Sequence, residues 1–499
     1  MNINKAKIQI RNAVKAYLTK DDMGEYVIPI EKQRPVLLIG PPGIGKTAIM
    51  EQIAAELGIG LVSYSMTHHT RQSAIGLPFI SHRTFDGKEY DVTEYTMSEI
   101  IASVYELMEE TGVREGILFL DEINCVSETL SPLMLQFLQY KVFGRHRIPD
   151  GWIIVAAGNP PEYNDSVRDF DIVTLDRLKK IDVEADYETW KEYAAKVSIH
   201  PAIMTFLQSK RNRFYSVETT VSGRSIVTPR GWEDLSKMLY LYEQNDLTVD
   251  EDLIIQYLQD PSAAKEFAVY YDLFNKYRTE YPVEDILYGR YDEEISQRAA
   301  DAGFDEVYTL IGLLLGNVRQ DVRACISEHQ VIENVRNCLK DYAGGEGYAA
   351  PEDCIRTIID EEEKKLSSGK RSGSMDEDRR KVLVRTIDVL SEMEKGIAGS
   401  SGYPETFGIM RDKYGEMVRD HAEDVGEAQT KMTGLLKFAE KCWGEGKEML
   451  MIVTELTADP YSADFINRYG CDEYFRHNKD LLFSERQLEI DRKISEITK

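Results

Sequence analysis

The chain has 499 residues, 42% hydrophobic and 29% charged, which is a globular composition with enough material for about three domains. Its 86 acidic against 60 basic residues give a formal charge of -26, which argues against a nucleic acid or an anionic membrane as partner of the whole surface, though a local basic patch is compatible with it. No apolar run approaches the ~18 residues of a membrane span, the N-terminus has no signal-peptide core, and the six cysteines form no CxxC pair. Neither a disulfide framework nor a zinc site is therefore expected, and the compartment read from this is reducing and cytoplasmic.

Met1 to Leu18 reads as a charged amphipathic helix and Tyr26 to Ile30 as a short extended lead-in. Val36 to Ile39 is a fully apolar run, as a buried parallel strand requires. It runs into Gly40-Pro41-Pro42-Gly43-Ile44-Gly45-Lys46-Thr47, with Ala48 following, which fits the phosphate-loop pattern GxxxxGK[ST] at every fixed position. Nucleoside triphosphates carry several negative charges that backbone N–H groups must meet at close range. Glycines at 40, 43 and 45 let the chain turn and approach them, and a helix starting there turns its free N–H groups to the anion. In this pattern Lys46 reaches the β and γ phosphates and the Thr47 hydroxyl holds Mg²⁺. Ile49, Ile53, Ala54 and Leu57 continue at helical spacing, and Gly58 stands at the expected stop.

Leu61 to Met66 reads as a second strand. The stretch THHTRQSAIGLPFI after it is polar, then punctuated by glycine and proline, then apolar. His68 and His69 are adjacent and have no third, suitably spaced ligand, so a metal site is not expected there. Thr96 to Glu110 is helical, with Thr96 and Glu99 as a capping box. Gly116 to Cys125, GILFLDEINC, carries four apolar residues into Asp121 and Glu122, at the carboxyl edge of a buried strand, where parallel sheets place their ligands. Asp121 suits the Mg²⁺ held by Thr47, through water, and Glu122 suits a general base for the attacking water. Leu130 to Leu138 is an amphipathic helix. Trp152 to Ala157 is a further apolar strand that delivers Asn159, whose amide can orient that water or simply form a turn before Pro160. Leu178 to Val183 closes the sheet.

From Asp186 the pattern turns to helices only: Tyr187 to Lys196, Pro201 to Lys210, Thr228 to Tyr242 and Thr248 to Leu258. Thr228-Pro229 signals one start and Thr248 with Glu251 another, and Arg230 falls in a first turn. Beyond residue 262 the chain stays helical without a catalytic signature. Phe304, Val307, Tyr308, Ile311, Leu314, Leu315 and Val318 trace one face, and Val382, Thr386, Val389, Leu390 and Met393 another. Between them LSSGKRSGSMDED, 366–378, is expected to be a flexible loop. The expected domains are a lead-in (1–30), an α/β nucleotide-binding domain (31–185), a helical lid (186–261) and an all-α C-terminal region (262–499).

In their order these motifs resemble the AAA+ ATPases, within them the MoxR-like and dynein-related group, over roughly residues 30 to 260. GPPGIGKT stands as Walker A, ILFLDE as Walker B, Asn159 in AAGNP as sensor 1, Arg177 in LDRL as arginine finger and Arg230 in TPRGW as sensor 2. The resemblance implies a parallel P-loop sheet of order 5-1-4-3-2 with a helical lid and a ring, usually a homo-hexamer, with ATP and Mg²⁺ at each junction. Arg177 then acts in the neighbour's site and Arg230 reports the γ phosphate to the lid. Arg145, Arg147 and Arg168 compete for the finger role, and pairing of Arg177 with Asp176 is the plain structural alternative. The segment from His68 to Ile80 corresponds to an insertion facing the ring centre, where Ser73-Ala74-Ile75-Gly76 departs from the acid found in many relatives. Arg71, Gln72 and Leu77 are the candidate contacts there. The function implied is ATP-driven, chaperone-type remodelling of a protein partner, one with a von Willebrand factor A domain being the common case. A nucleic-acid motor or restriction-type NTPase, disfavoured by charge, and an ATP-dependent assembly switch are the alternatives.

Overall fold

The computed structural model describes residues 1–68, 74, 76–143, 145–163, 170, 172–220, 223–343, 351–397 and 403–479. The chain divides into two compact units, one comprising Met1–Thr189 with Asp360–Leu383 and the other Trp190–Ile359 with Val384–Lys499.

The first unit is built on a five-stranded sheet. Its strands are β1 (Val36–Ile39), β2 (Gly60–Ser65), β5 (Gly116–Asp121), β8 (Trp152–Gly158) and β9 (Lys179–Asp182), in the order β2-β5-β8-β1-β9. Every pairing is parallel, with Val36 opposite Val155 and Lys179, and Ser65 opposite Asp121. Counting only these five strands in chain order, the arrangement is the expected 5-1-4-3-2. The three central strands β5, β8 and β1 are apolar almost throughout because both faces are covered. Leu37, Ile101, Val104, Leu118, Phe137, Trp152 and Ile154 form part of one contiguous core there. Each such side chain contributes on the order of 1.5–3 kcal/mol by leaving water.

The helix Lys46–Leu57 starts at Gly45, whose φ of 91° is the left-handed conformation that glycine adopts without strain. The N-terminal helix is Ile3–Tyr17, capped by the Asn2 side chain on Lys5 N. The helix expected from Thr96 begins instead at Glu99, with Ser98 as the cap accepting from Ile101 N. Thr96 Oγ1 accepts from Leu77 N and so is not available to the helix.

Between β2 and that helix lies an antiparallel hairpin that the sequence reading missed, β3 (Pro78–Phe85) with β4 (Lys88–Tyr95). Its turn is Asp86-Gly87, at φ 52° and 77°, the left-handed pair that suits a two-residue hairpin. That dipeptide was the available signal. Two-residue strands β6 (Val142–Phe143) and β7 (His146–Arg147) form a second small hairpin.

The expected loop at 366–378 is corrected as well. Residues 366–372 continue the helix Pro351–Ser372, and a turn leads into Glu377–Ile397. The serines and glycines serve close packing: a Cβ on Gly369 would lie 2.5 Å from Met375 Cε, and Ser372 is buried. Within the first unit Arg371 pairs with Glu110 at 3.3 Å and Arg379 donates to Ala55 O at 3.4 Å.

The second unit is predominantly helical. The helices Pro201–Ser209, Pro229–Gln244 and Glu251–Leu258 lie close to expectation, the second capped by Thr228 on Gly231 N. The third is capped by Asp250 rather than Thr248. The expectation of helices only is corrected by the antiparallel hairpin β10 (Ser216–Thr220) with β11 (Gly223–Val227). Helices Phe304–Ala343 and Tyr403–Trp443 form the spine of the C-terminal part, and Ile311, Leu314, Val318, Met432, Leu435 and Phe438 meet in one core. Of the expected apolar face, Phe304 alone is exposed, at the helix start. Among the described residues no helix is long and apolar enough to cross a membrane.

Candidate functional site

The carboxyl edge of the parallel sheet collects residues from four strands. β1 leads into the loop 40–45, so Lys46 and Thr47 open a helix at that edge. β5 ends in Asp121 with Glu122 directly after it, and β8 delivers Asn159. Lys46 is buried. Its Nζ donates to Gly40 O at 2.8 Å, to Pro41 O at 2.9 Å and to Asn159 Oδ1 at 2.8 Å. The expected lysine and the expected sensor amide therefore touch, although 113 residues separate them in sequence.

Thr47 Oγ1 donates to Asp121 Oδ2 at 3.0 Å. A hydroxyl and a carboxylate oxygen brought together at a helix N-terminus are the hard oxygen donors that suit a divalent cation such as Mg²⁺. The donor set thus fits the metal expected at Thr47 and Asp121.

Glu122 adopts φ 56° and ψ 36°, an uncommon backbone conformation for a side chain of this size. Its N–H donates to Asp121 Oδ1 at 2.9 Å. Its Oε2 accepts from Ser65 Oγ at 2.9 Å and from Thr67 Oγ1 at 3.0 Å. Ser65 ends β2, which is the neighbour of β5, and Thr67 lies in the 3-10 turn Met66–His68 that follows; sequence reasoning did not find them. The signal was the Ser65-Met66-Thr67 alternation at the carboxyl end of a strand, but its meaning depends on the register that sets Ser65 opposite Asp121.

Asn124 was also missed. Its Nδ2 donates to Asn159 O at 2.7 Å, while its buried Oδ1 has no hydrogen-bond partner. The amide lies flat against Gly158, where a Cβ would come within 2.4 Å of Oδ1.

Arg177 follows the short helix Ile172–Asp176 and precedes β9. Because β9 pairs in parallel with β1 from Lys179 opposite Val36, Arg177 lies at the amino edge of the sheet. The loop 40–45 lies at the other edge, beyond about 13 Å of strand. Arg177 is exposed, and its Nη1 donates to Gln139 Oε1. It opens onto a groove of about 880 Å³ that Arg34, Gln136, Tyr140 and Arg147 also line. Arg145 pairs with Glu94 at 2.7 Å and Arg147 with Glu31. Arg230 is exposed in the first turn of Pro229–Gln244 in the second unit. Arg168, Arg71, Gln72 and His69 lie outside the described residues, as do Thr70, Ser73 and Ile75. Leu77 is described and is 57% exposed.

Residues 36–168 match the model of the family described as "ATPase family associated with various cellular activities (AAA)". That segment runs from β1 past Asn159, so it contains the phosphate loop, both acids and the amide at the sheet edge. Among solved structures the chain is similar to the Thermotoga maritima RuvB Holliday junction branch migration motor, at 17% identity over 52% of this chain and 69% of that one, with a TM-score of 0.29. A mutant of the same protein matches at 16% identity over 60% and 75%, again at 0.29. An overlap of that quality carries no argument about what this chain does. No curated protein matches the chain in sequence.

Proposed function

We propose that the chain is a MoxR-like AAA+ ATPase that hydrolyses ATP to remodel, mature or regulate a partner protein, one with a von Willebrand factor A domain being the partner class that fits best. The observation that carries the ATPase part is the meeting of loop, acid and amide at one sheet edge: Lys46 on Asn159, and Thr47 on Asp121. Lys46 binds the β and γ phosphates, and the backbone N–H groups of 43–48 cradle them. Thr47 and Asp121 would hold Mg²⁺, which supplies charge neutralisation on the phosphate oxygens. Glu122 takes the proton of the attacking water once it leaves Ser65 and Thr67, and Asn159 orients that water.

Arg177 lies too far from its own loop to serve there, which supports action on a neighbouring subunit in a ring, a homo-hexamer being the usual form. Arg230 would report the γ phosphate to the lid, and the gain and loss of that contact would alternate the lid between two positions. The net charge of -26 weighs against a nucleic-acid track.

The test is a trap. The Glu122→Gln variant, purified from its native cell with ATP and Mg²⁺, should hold ATP uncleaved, run as a ring and carry its protein partner. Parental hydrolysis by this variant would remove Glu122 from the general-base role. A co-purifying nucleic acid would replace the remodelling reading with a motor, and a bare ring would leave an assembly switch.

A further inference from the structure

Lys46 Nζ is shared between two kinds of acceptor. The main-chain oxygens of Gly40 and Pro41 hold it at 2.8 and 2.9 Å, and the side chain of Asn159 holds it at 2.8 Å. An ammonium carries three N–H groups and accepts nothing, so the contacts engage one proton each, and the Asn159 atom that meets it is the amide oxygen. Phosphate oxygens therefore reach this lysine by exchange: one of these acceptors has to leave.

Which one leaves follows from how each is fixed. Gly40 N–H donates to Gly158 O at 3.2 Å, and a Cβ at Gly40 would lie 2.9 Å from Val183 O. The start of the loop is thus packed between the ends of β8 and β9, and its carbonyls turn only if the loop moves. Asn159 is pinned through its main chain, where its carbonyl accepts from Asn124 Nδ2 at 2.7 Å. Its amide sits on rotatable side-chain bonds and is only half-buried. A side-chain rotation of Asn159 therefore releases Lys46 while the backbone stays in place.

We propose that Lys46 and Asn159 form an exchange latch, in which the β phosphate of a nucleoside diphosphate or triphosphate displaces Asn159 from Lys46 and the released amide oxygen then accepts from the attacking water. That water has two O–H groups to place, and Glu122 takes one of them. The latch rests on the ATPase reading of this site and adds an order of events to it: the amide oxygen turns to the water only after phosphate has reached the lysine.

The latch fixes the sign of a substitution. Lys46 is buried, and a buried ammonium deprived of Asn159 is one acceptor short, which a phosphate oxygen makes good. Removal of the Asn159 amide should therefore strengthen nucleotide binding while it weakens hydrolysis. A side chain that only touches nucleotide gives the other pattern, since its loss weakens binding or leaves it unchanged.

Calorimetric titration of the full chain with ADP and Mg²⁺ tests this without turnover, because ADP keeps the β phosphate and lacks the γ phosphate. Asn159→Ala should bind ADP roughly tenfold tighter than the parent and hydrolyse ATP slower by roughly tenfold or more. Asn159→Val, which also lacks the acceptor, should behave alike, and denaturant unfolding shows that each variant is folded. ADP affinity equal to or below the parent's in the folded variants, or tighter ADP binding with hydrolysis at the parental rate, would overturn the latch and leave the ATPase reading in place. A parent that binds neither ADP nor ATP would remove the ATPase reading, and the latch with it.

Discussion

Gly158→Ala probes the packing behind the candidate site without touching any residue expected to meet nucleotide. A Cβ there would lie 2.4 Å from Asn124 Oδ1, 2.7 Å from its Cγ and 3.0 Å from Nδ2, so the whole amide must move. The backbone cannot yield instead, because β8 is hydrogen-bonded between β5 and β1. Overpacking of this kind costs about 1–3 kcal/mol. Displacing Asn124 also breaks its 2.7 Å bond to Asn159 O, adding roughly 1 kcal/mol or more. The Oδ1 atom has no bond to lose, which limits the total to roughly 2–4 kcal/mol. Movement of Asn159 passes to Lys46, which it holds at 2.8 Å, so nucleotide hydrolysis should fall together with stability. Denaturant unfolding and an ATPase assay on Gly158→Ala, Asn124→Ala and the double variant form a cycle. The double variant should be less impaired than the sum of the singles, because removing the amide removes the clash. Additive costs, or a Gly158→Ala protein that unfolds and hydrolyses like the parent, would refute the coupling of these three residues.

The remaining expectations concern packing and pH. Gly434 lies against Leu287 O, where a Cβ would come within 1.8 Å, so Gly434→Ala should destabilise the C-terminal helices by about 3 kcal/mol or more, read by denaturant unfolding. Burial pushes the Glu243 carboxyl up, but a hydrogen bond from His200 at 3.2 Å and the charge of Arg278 at 2.9 Å prevail and bring it down to about 2, against an ordinary 4.5. A lowered carboxyl contributes stability that is complete above about pH 4.5 and is lost as pH falls toward 2, up to roughly 3 kcal/mol. Unfolding curves of the parent and Glu243→Gln should therefore converge across that window, and a constant gap would refute it. Burial lowers Lys141 to about 8 from 10.5. Between those values the unfolded chain binds more protons, so parental stability should rise with pH relative to Lys141→Met. A pH-independent difference between the two would contradict this.

What was legible in the sequence was what the backbone itself requires. The run at 36–39 followed by glycines at 40, 43 and 45 dictates a strand, a turn and a helix start, and the acid pair after an apolar run dictates a strand end. Helix starts were misplaced wherever a second polar residue stood nearby: Ser98 and Asp250 cap where Thr96 and Thr248 were expected, since a two-residue shift offers the N–H groups an equivalent oxygen. The helical stretch at 366–372 was hidden because its small polar residues have the composition of a loop, whereas Gly369 is used for the close approach of Met375. Ser65, Thr67 and Asn124 were illegible for a different reason. Each acquires its role only when strand register sets β2 beside β5 and β5 beside β8, and register is a property of pairs of segments far apart in the chain. Glu122 illustrates the division: its identity as a strand-end acid could be read locally, but the two hydroxyls that hold it are supplied by the end of a strand and the turn after it, more than fifty residues earlier. The holding of Glu122 is accordingly a property of the sheet, and a substitution that shifts the β2 register should alter Glu122 without changing a residue of the phosphate loop or of the acid pair.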